Sequence, residues 1–302
     1  MELAPVILFC FNRPKHTTAT IEALKACRLA SETNLYVFSD GPRNEEEACL
    51  VNEVRSVLQG VKGFKSVTIS QRKFNMGLAS SIISGVTEVI QKHGKVIVLE
   101  DDLVCADSFL ENQNKMLDYF EDHQQIFSTS AYSPPIKYPA HFADDLYLFP
   151  RTSSYGWGTW RDRWESVDWS MEGFNEFIQS KPQRKHFNKG GIDLTPMLLH
   201  QKVGKIDSWS IRFSYAASLQ NSLCVYPKES MLQHIGTDGS GTHSTSSSYY
   251  GHTSNNKVIH IEHFPKEHEA IAKRVRKFWA NSLIRQLINF YKRMAYISLL
   301  KL

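Results

Sequence analysis

The sequence predicts an α/β protein with a doubly wound, mostly parallel sheet. Through the first hundred residues, short apolar runs alternate with segments of helical periodicity, as expected for repeated β-α-β units with right-handed crossovers. The first of these runs, 5–11, is continuous rather than alternating, which is typical of a strand buried on both faces. Turn-forming residues follow the runs, so each strand has a clear end.

The first third of the chain supplies four strands in order. The run 5–11 (PVILFCF) is the first, and its apolar character is unbroken. Asn44 can cap a helix whose first turn, residues 45–47, is acidic and suits the positive end of the helix dipole. The predicted strands are 5–11, 35–38, 64–70 and 95–99, and helical spacing covers 15–29, the segment after Asn44, and 78–91.

The remainder of the chain is less regular. We predict a helix over 108–121, short strands and turns over 126–150, a loop rich in Gly, Ser, Thr and His over 237–255, and a late strand over 257–264. No linker separates two folds. The expected organisation is therefore one domain over 1–264, with halves 1–105 and 106–264, followed by a helical tail over 265–302.

Composition excludes several classes of protein. Of the 302 residues, 42% are apolar and 12% aromatic, a balance that excludes disorder, collagen and coiled coil. No apolar run approaches the roughly 20 residues of a membrane span. The N-terminal apolar stretch has no basic leader and ends at Asn12, which favours a strand over a signal peptide. The five cysteines are scattered without CxxC, so we expect a reducing compartment without disulfides or zinc.

Charge is distributed unevenly along the chain. Residues 273–302 contain eight basic and no acidic residues, whereas the other residues carry a net charge of −4. The acidic body argues against nucleic-acid binding. Apolar residues recur at helical spacing from Ile271 to Met294, so the tail can either dock on the domain or lie on an anionic membrane surface. We expect the membrane surface.

The strongest local signal is a run of three acids, Glu100, Asp101 and Asp102, directly after the fourth strand. In an open parallel sheet, ligands bind beyond the carboxyl ends of the strands. Three adjacent carboxylates repel one another unless a positive charge arrives, and a hard divalent cation shared with a diphosphate is the natural partner. The alternative is a solvated acidic turn.

Polar side chains follow the earlier strands as well. Arg13 and Arg72 could neutralise phosphate charge, Asp40 could accept the N–H of a pyrimidine base, and Phe11 could stack on its ring. Taken singly, each is compatible with ordinary turn chemistry. Taken together on one rim, they describe a nucleotide pocket, whose expected residues are Phe11, Asn12, Arg13, Asp40, Arg72 and Asn75.

Three common fingerprints are absent from the sequence. The first strand is not followed by GxGxxG, which disfavours a dinucleotide-binding enzyme. The chain also lacks GxxxxGK[ST], the signature of P-loop NTPases, and GxSxG, the nucleophile elbow of α/β-hydrolases.

The segments PVILFCFNRP, SDGPRNEEE, RKFNMGLASSI and VIVLEDDLV resemble those of GT-A glycosyltransferases, whose fold is Rossmann-like. The chain is most similar to bacterial sugar-nucleotide transferases related to the N-acetylglucosaminyltransferase that initiates complex N-glycans. That enzyme carries a Glu-Asp-Asp variant of the DxD metal motif after a similar strand. The resemblance covers 5–120 and continues more loosely through 154–160 and 206–209.

The resemblance implies a role for each matching residue. Asp102 would bind Mn²⁺ or Mg²⁺ held by the diphosphate of a UDP-sugar, while Glu100 and Asp101 would contact the ribose and the donor sugar. Asp40 would read the uracil, with Arg13 near the base or the phosphate. Residues 1–105 would bind the nucleotide-sugar and residues 106–264 the acceptor.

The resemblance also implies a catalytic base, Asp207. In the family, two acids precede a tryptophan at this place, and in this chain Ser208 replaces the second of them. A hydroxyl is a weak nucleophile at neutral pH, and a carboxylate that takes its proton typically contributes about 10²–10⁴-fold. The rival carboxylates are Asp162, Glu165 and Asp168. Alternatively, Asp207 could cap the helix that follows it.

Two further features are candidates for the site. Trp157, between two glycines, could stack on an acceptor sugar, or it could belong to a core stripe with Trp160 and Trp164. His234 and His243 border a Gly-rich loop of the kind that closes over ligands, and either could complete a metal shell. A lone histidine is, however, more often structural.

We therefore expect a metal-dependent, inverting glycosyltransferase that moves GlcNAc or another hexose from a UDP-sugar to a hydroxyl of a glycan or lipid-linked oligosaccharide acceptor. Its expected place is the bacterial cytoplasm, at the inner face of the membrane, in surface polysaccharide synthesis. Two alternatives stay open. One is a sugar nucleotidyltransferase, which needs a Gly-rich loop where this chain has Asn12-Arg13-Pro14. The other is a non-catalytic carbohydrate-binding module on the same fold.

Overall fold

The computed structural model describes residues 2–236 and 255–280. The strands in these residues are β1 (Val6–Cys10), β2 (Asn34–Ser39), β3 (Ser66–Gln71), β4 (Lys95–Glu100), β5 (Leu103–Cys105), β6 (Ile126–Ser130), β7 (Leu146–Phe149), β8 (Trp157–Trp160), β9 (Leu223–Pro227) and β10 (Leu232–His234). The helices are α1 (Pro14–Ala26), α2 (Glu45–Gln59), α3 (Leu78–His93), α4 (Phe109–Phe120), α5 (Arg161–Glu165), α6 (Phe174–Gln179), α7 (Lys181–Phe187), α8 (Leu194–Lys202), α9 (Trp209–Leu219) and α10 (Glu269–Trp279).

Eight of these strands form the central sheet, in the order β3-β2-β1-β4-β8-β6-β9-β7. The first four strands are parallel to one another. Strand β8 runs antiparallel to both β4 and β6, β6 and β9 are parallel, and β7 closes the sheet antiparallel to β9. The predicted α/β class with a mostly parallel sheet is therefore confirmed.

Helices cover both faces of the sheet, so the fold is doubly wound as predicted. Side chains of α1, α2 and α4 share one buried apolar cluster with β1, β2 and β4. Side chains of α3 and α9 form a second cluster on the opposite face. The same strands contribute to both clusters through alternate residues, such as Leu8 on one face and Ile7 on the other. This two-sided burial explains why these strands are continuous apolar runs.

The order of the strands creates a switch point between β1 and β4. From β1 the chain steps outward to β2 and β3, and α3 then returns it to β4 on the other side of β1. Glu100, at the end of β4, lies opposite Phe9 of β1. Ligands of open α/β sheets bind outside the carboxyl ends of the strands at such a point.

The predicted late strand over 257–264 is wrong, because the structure has irregular backbone there. The side chain of Asn112 on α4 takes the place of a partner strand. Its Nδ2 donates to the carbonyl of Lys257 at 2.8 Å, and its Oδ1 accepts from the N–H of Ile259 at 2.9 Å. An amide side chain that satisfies the backbone in this way removes the need for a ladder.

The described part of the tail docks on the domain. Helix α10 buries Ile271 and Val275 in an apolar cluster with residues of β7 and β9. For residues 269–279 the structure therefore corrects the expected membrane-bound helix, because the apolar side of the helix is covered by the protein. The rest of the tail, from residue 281, lies outside the described residues, as does 237–254. No helix in the described ranges is long and apolar enough to cross a membrane.

The docking of α10 can be tested through its stability. Ile271→Ala should lower the free energy of unfolding by about 2–5 kcal/mol, because it removes buried methyl and methylene groups and leaves a cavity. The matched control is Lys273→Ala on the exposed side of the same helix, which should change the stability by less than about 0.5 kcal/mol. Denaturant unfolding measures both. Equal stabilities for the two variants would contradict the docking.

Candidate active site

The acidic run lies at the switch point and is buried. Asp101 is 3% exposed and Asp102 is 7% exposed. Both belong to the turn that connects β4 to β5, a short strand that has left the central sheet. Burial of this kind excludes the alternative of a solvated acidic turn, since unpaired buried carboxylates are strongly disfavoured.

Arg13 supplies the compensating charge. Its guanidinium forms an ion pair with Asp101 through Nη2, and its Nη1 lies 2.9 Å from Oδ2 of Asp102. Burial alone lowers the pKa of Arg13, but the two carboxylates outweigh it and hold the pKa above its ordinary value. Arg13 is the residue before α1, and proline at the first helical position fixes the start of that helix. The contacts of Arg13 with protein groups are thus with the two aspartates of the acidic run.

Asp101 fastens the β1–α1 turn to the end of β4. Its Oδ2 accepts from the N–H of Phe11 and from the hydroxyl of Thr17, each at 3.4 Å. The hydroxyl of Thr20 donates to the Asp101 carbonyl at 2.8 Å. With these protein partners already present, Asp101 has a structural role in addition to any contact with a ligand.

Burial acts against full ionisation of the acidic run. Burial, and then the repulsion of Asp102 and Asp101, raise the pKa of Glu100 to about 8. Burial also raises the pKa of Asp101, although Arg13 opposes that rise. An additional cation at this place would favour the ionised forms of the acids.

His234 faces the same carboxylate from the second half of the chain. Strand β10 pairs antiparallel with β5, which brings His234 opposite Leu103. Its Nε2 lies 3.5 Å from Oδ2 of Asp102, and burial lowers the pKa of the imidazole, which favours the neutral, metal-binding form. Two residues on, a Cβ at Gly236 would overlap the Asp102 carboxylate. Only glycine allows the chain to pass so close.

The fit of these residues to a divalent cation is partial. Asp102 offers an oxygen and His234 a nitrogen, and both are donors that such cations accept. Within residues 2–236 and 255–280, however, no group of three or more His, Cys, Asp or Glu side chains is arranged to hold a metal ion. A cation held by Asp102 and His234 would need further ligands. His243 belongs to the segment outside the described residues.

Asp40 and Asn75 join two loops at the same edge of the sheet. Oδ1 of Asp40 accepts from the N–H groups of Gly41 and Met76 at 2.9 and 3.0 Å. The side chain of Asn75 donates to the Gly41 carbonyl at 2.9 Å. A Cβ at Gly41 would lie 2.5 Å from the backbone carbon of Phe74, so the loops can meet only with glycine there. Much of the hydrogen-bonding capacity of Asp40 is thus used within the protein.

The other residues predicted for the nucleotide pocket also contact protein side chains. The Arg72 guanidinium lies 5.4 Å from the centre of the Phe38 ring, and its Nε is buried without a hydrogen-bond partner in the described residues. Phe11 lies beneath the guanidinium of Arg43, at 5.2 Å. The side-chain amide of Asn12 donates to Glu47 at 3.4 Å.

Asp207 lines a cavity of about 430 Å³, whose lining includes none of the three acids. Its side chain is 61% exposed and lies 3.1 Å from the Arg212 guanidinium. The cap of α9 is Ser208, whose hydroxyl accepts from the N–H of Ile211, so the capping alternative for Asp207 is wrong. The rivals Asp162, Glu165 and Asp168 do not line this cavity.

Tyr155 connects the cavity to the acidic run. It lines the cavity, and its ring lies edge-on to His234 with the ring centres 5.1 Å apart. The chain of contacts therefore runs from Asp207's cavity through Tyr155 and His234 to Asp102. The sequence pattern singled out neither Tyr155 nor Gly236 as a site residue; Tyr155 stood next to the Trp-Gly segment, and only the β5–β10 pairing reveals its position.

Trp157 requires a correction. It is 1% exposed, and its ring stacks on Trp209 and Trp164 with centres 4.7 and 5.7 Å away. Both faces of the indole are directed into the core on the α3–α9 side of the sheet. The core alternative is thus the correct one, and it arises from a strand residue on β8 rather than from a helical stripe.

No family model and no curated protein sequence matches the chain. Solved structures do match in part. A mannosyltransferase, PcManGT from Pyrobaculum calidifontis, in complex with GDP-Man and Mn²⁺, is 11% identical over 54% of this chain and 46% of its own, with a TM-score of 0.37. S. aureus TarS is 10% identical over 78% of this chain and 37% of its own, with a TM-score of 0.39. An apo UDP-glucose pyrophosphorylase is 10% identical over 78% and 94%, with a TM-score of 0.37.

The role of Asp40 as a fastener between loops can be measured. Asp40→Ala should lower the free energy of unfolding by about 1–3 kcal/mol, because it leaves the N–H groups of Gly41 and Met76 without their acceptor. Asp122→Ala, at an exposed acid of the same type, is the control and should be close to neutral. If Asp40→Ala is as stable as the control, the two loops are held by other contacts.

Proposed function

We propose that the chain is a GT-A glycosyltransferase that moves a hexose from a UDP-sugar to a hydroxyl of a glycan or lipid-linked acceptor. The observation that carries the proposal is the pairing of two sites. A buried acidic cluster lies at the switch point of the sheet, and an exposed carboxylate, Asp207, lines a neighbouring cavity. Sugar transfer needs both: a place for a charged diphosphate and a separate base for the acceptor.

Asp102 and His234 are the residues that would hold Mn²⁺ or Mg²⁺. When bound, the cation stabilises the negative charge that develops on the leaving diphosphate. Burial lowers the pKa of His234, which favours the neutral imidazole that such cations bind. Gly236 keeps the backbone against Asp102 without a side chain in the way.

Arg13 and Arg72 are proposed to neutralise the donor's phosphates. The guanidinium of Arg13 contacts both aspartates and balances their charge before the donor binds. When the donor is bound, the same guanidinium would also form an ion pair with the diphosphate. Arg72 has a buried Nε whose hydrogen-bonding capacity is not used in the described residues. Phe11, Asn12, Asp40 and Asn75 border the place proposed for the base and ribose.

Asp207 is proposed as the base. It is the carboxylate on the lining of the cavity next to Tyr155 and His234, where an acceptor hydroxyl could approach the donor sugar. The hydroxyl loses its proton to Asp207 as its oxygen attacks the anomeric carbon, and the bond to the diphosphate breaks. One such displacement inverts the configuration at that carbon.

The finer assignments follow the sequence resemblance. They are a UDP-GlcNAc or related hexose donor and a role in bacterial surface polysaccharide synthesis in the cytoplasm, next to the membrane. One assay separates the proposal from its alternatives. Release of UDP that depends on both donor and acceptor indicates a transferase, release of diphosphate from UTP and a sugar phosphate indicates a nucleotidyltransferase, and binding without turnover indicates a carbohydrate-binding module.

The metal site is tested through Asp102. Asp102→Asn should abolish transfer and weaken UDP binding in the presence of Mn²⁺, because one charged oxygen ligand is lost. Asp118→Asn is the matched control, since it removes a carboxylate from the Lys95 ion pair away from the site. Calorimetric titration with UDP and a UDP-release assay measure the two effects. A wild-type rate that EDTA leaves intact would rule out the metal.

The base is tested through Asp207. Asp207→Asn should lower kcat by about 10²–10⁴-fold and leave the affinity for the donor nearly unchanged, because the group acts on the acceptor's proton. Asp162→Asn is the control, since that carboxylate pairs with Arg163 and does not line the cavity. An equal loss of UDP-sugar affinity would instead make Asp207 a donor-binding residue.

A further inference from the structure

A second cavity, of about 750 Å³, opens between α7 and α10. We call it the basic cleft. Its lining includes five basic side chains, Lys181, Arg184, Lys185, Lys189 and Arg276, against two acidic ones, Glu267 and Glu269. This balance stands out because the chain before the tail has a net negative charge.

Three lysines follow one another along α7 and the turn after it. Lys181 and Lys185 are four residues apart and lie on one side of α7, Lys189 follows in the short 3₁₀ turn, and all three line the cleft. All three are exposed. The lysines therefore present a line of charges rather than a single anion site.

The acidic residues cancel only part of this charge. Glu269 pairs with Arg276. With Glu269 paired to Arg276, one acid of the lining, Glu267, remains against Lys181, Arg184, Lys185 and Lys189. The charge of the cleft is therefore positive, which attracts an anionic partner.

The basic cleft adjoins the cavity of Asp207. Pro150 lines the cleft, and the next residue, Arg151, lines the Asp207 cavity. Helix α10 contributes Arg276 to the cleft and Trp279 to the cavity. Arg151 stacks on the Trp279 ring at 4.5 Å, so these two side chains form the border between the two spaces.

We propose that the basic cleft binds phosphate groups spaced along the acceptor, so that the acceptor of this enzyme is a phosphate-bearing glycan chain. This inference rests on the proposed function, because it takes the Asp207 cavity as the place of the acceptor hydroxyl. A chain that leaves that cavity across Arg151 and Trp279 enters the cleft. The concave shape suits a chain better than a flat bilayer, and lysines distributed along α7 and the turn after it suit several phosphates better than one diphosphate.

The test uses inorganic polyphosphate as the probe, titrated calorimetrically into the full-length protein without divalent cations. The triple variant Lys181→Gln, Lys185→Gln, Lys189→Gln should bind about tenfold more weakly than the wild type. The control is Lys62→Gln, Lys65→Gln, Lys92→Gln, which removes the same charge from exposed sites elsewhere and should retain wild-type affinity. Binding should also weaken as salt is raised.

Two outcomes overturn the inference. The first is equal polyphosphate affinity in the cleft variant and the control. The second is a wild-type protein that binds phosphatidylglycerol vesicles but not polyphosphate, together with a cleft variant that no longer binds the vesicles. That result would assign the lysines to a membrane surface. Polyphosphate binding needs neither donor nor turnover. A wild-type protein that binds polyphosphate but releases no UDP would therefore refute the proposed function and leave the anion site standing.

Discussion

The ion pairs of Arg13 with Asp101 and Asp102 are the interaction on which the site depends. Two carboxylates with almost no access to water at the end of β4 would repel each other and favour protonation without a fixed cation. The positive charge is that of the Arg13 guanidinium, in the turn after β1, and β1 is the strand next to β4 at the switch point. The same contact that neutralises the acids thus joins the two strand ends between which a ligand would bind, and Thr17 and Thr20 reinforce it from α1.

The second half of the chain is attached to this arrangement through a two-stranded sheet. Because β5 follows the acids directly and pairs with β10, the position of Asp102 also determines that of His234. His234 in turn contacts Tyr155, which borders the cavity of Asp207. Residues more than a hundred positions apart in sequence are therefore placed by backbone pairing and one glycine, Gly236, rather than by a local motif.

This division explains what the sequence could and could not predict. Strands β1, β2 and β4 were predictable because burial on both faces leaves a continuous apolar run, and the acids were predictable because they directly follow such a run. Trp157 was not, because a tryptophan between glycines has the same local pattern in a sugar site and in a core; stacking on Trp209 and Trp164 decides it. The region 257–264 alternates like a strand, yet the side chain of Asn112 satisfies its backbone. A contact between residues so far apart in the chain leaves no pattern in the local sequence.

Helix α10 shows why a count of charges along the chain does not predict what surface a helix packs against. Its sequence is basic and amphipathic, and both properties are compatible with a membrane surface. In the folded protein the apolar side of the helix packs on β7 and β9. This packing determines where the basic side chains of the helix lie. Arg274 donates to the carbonyl of Lys137, and Arg276 lines the basic cleft. The docking of the helix, and not the charge count of the tail, therefore decides where these basic side chains lie in the folded protein.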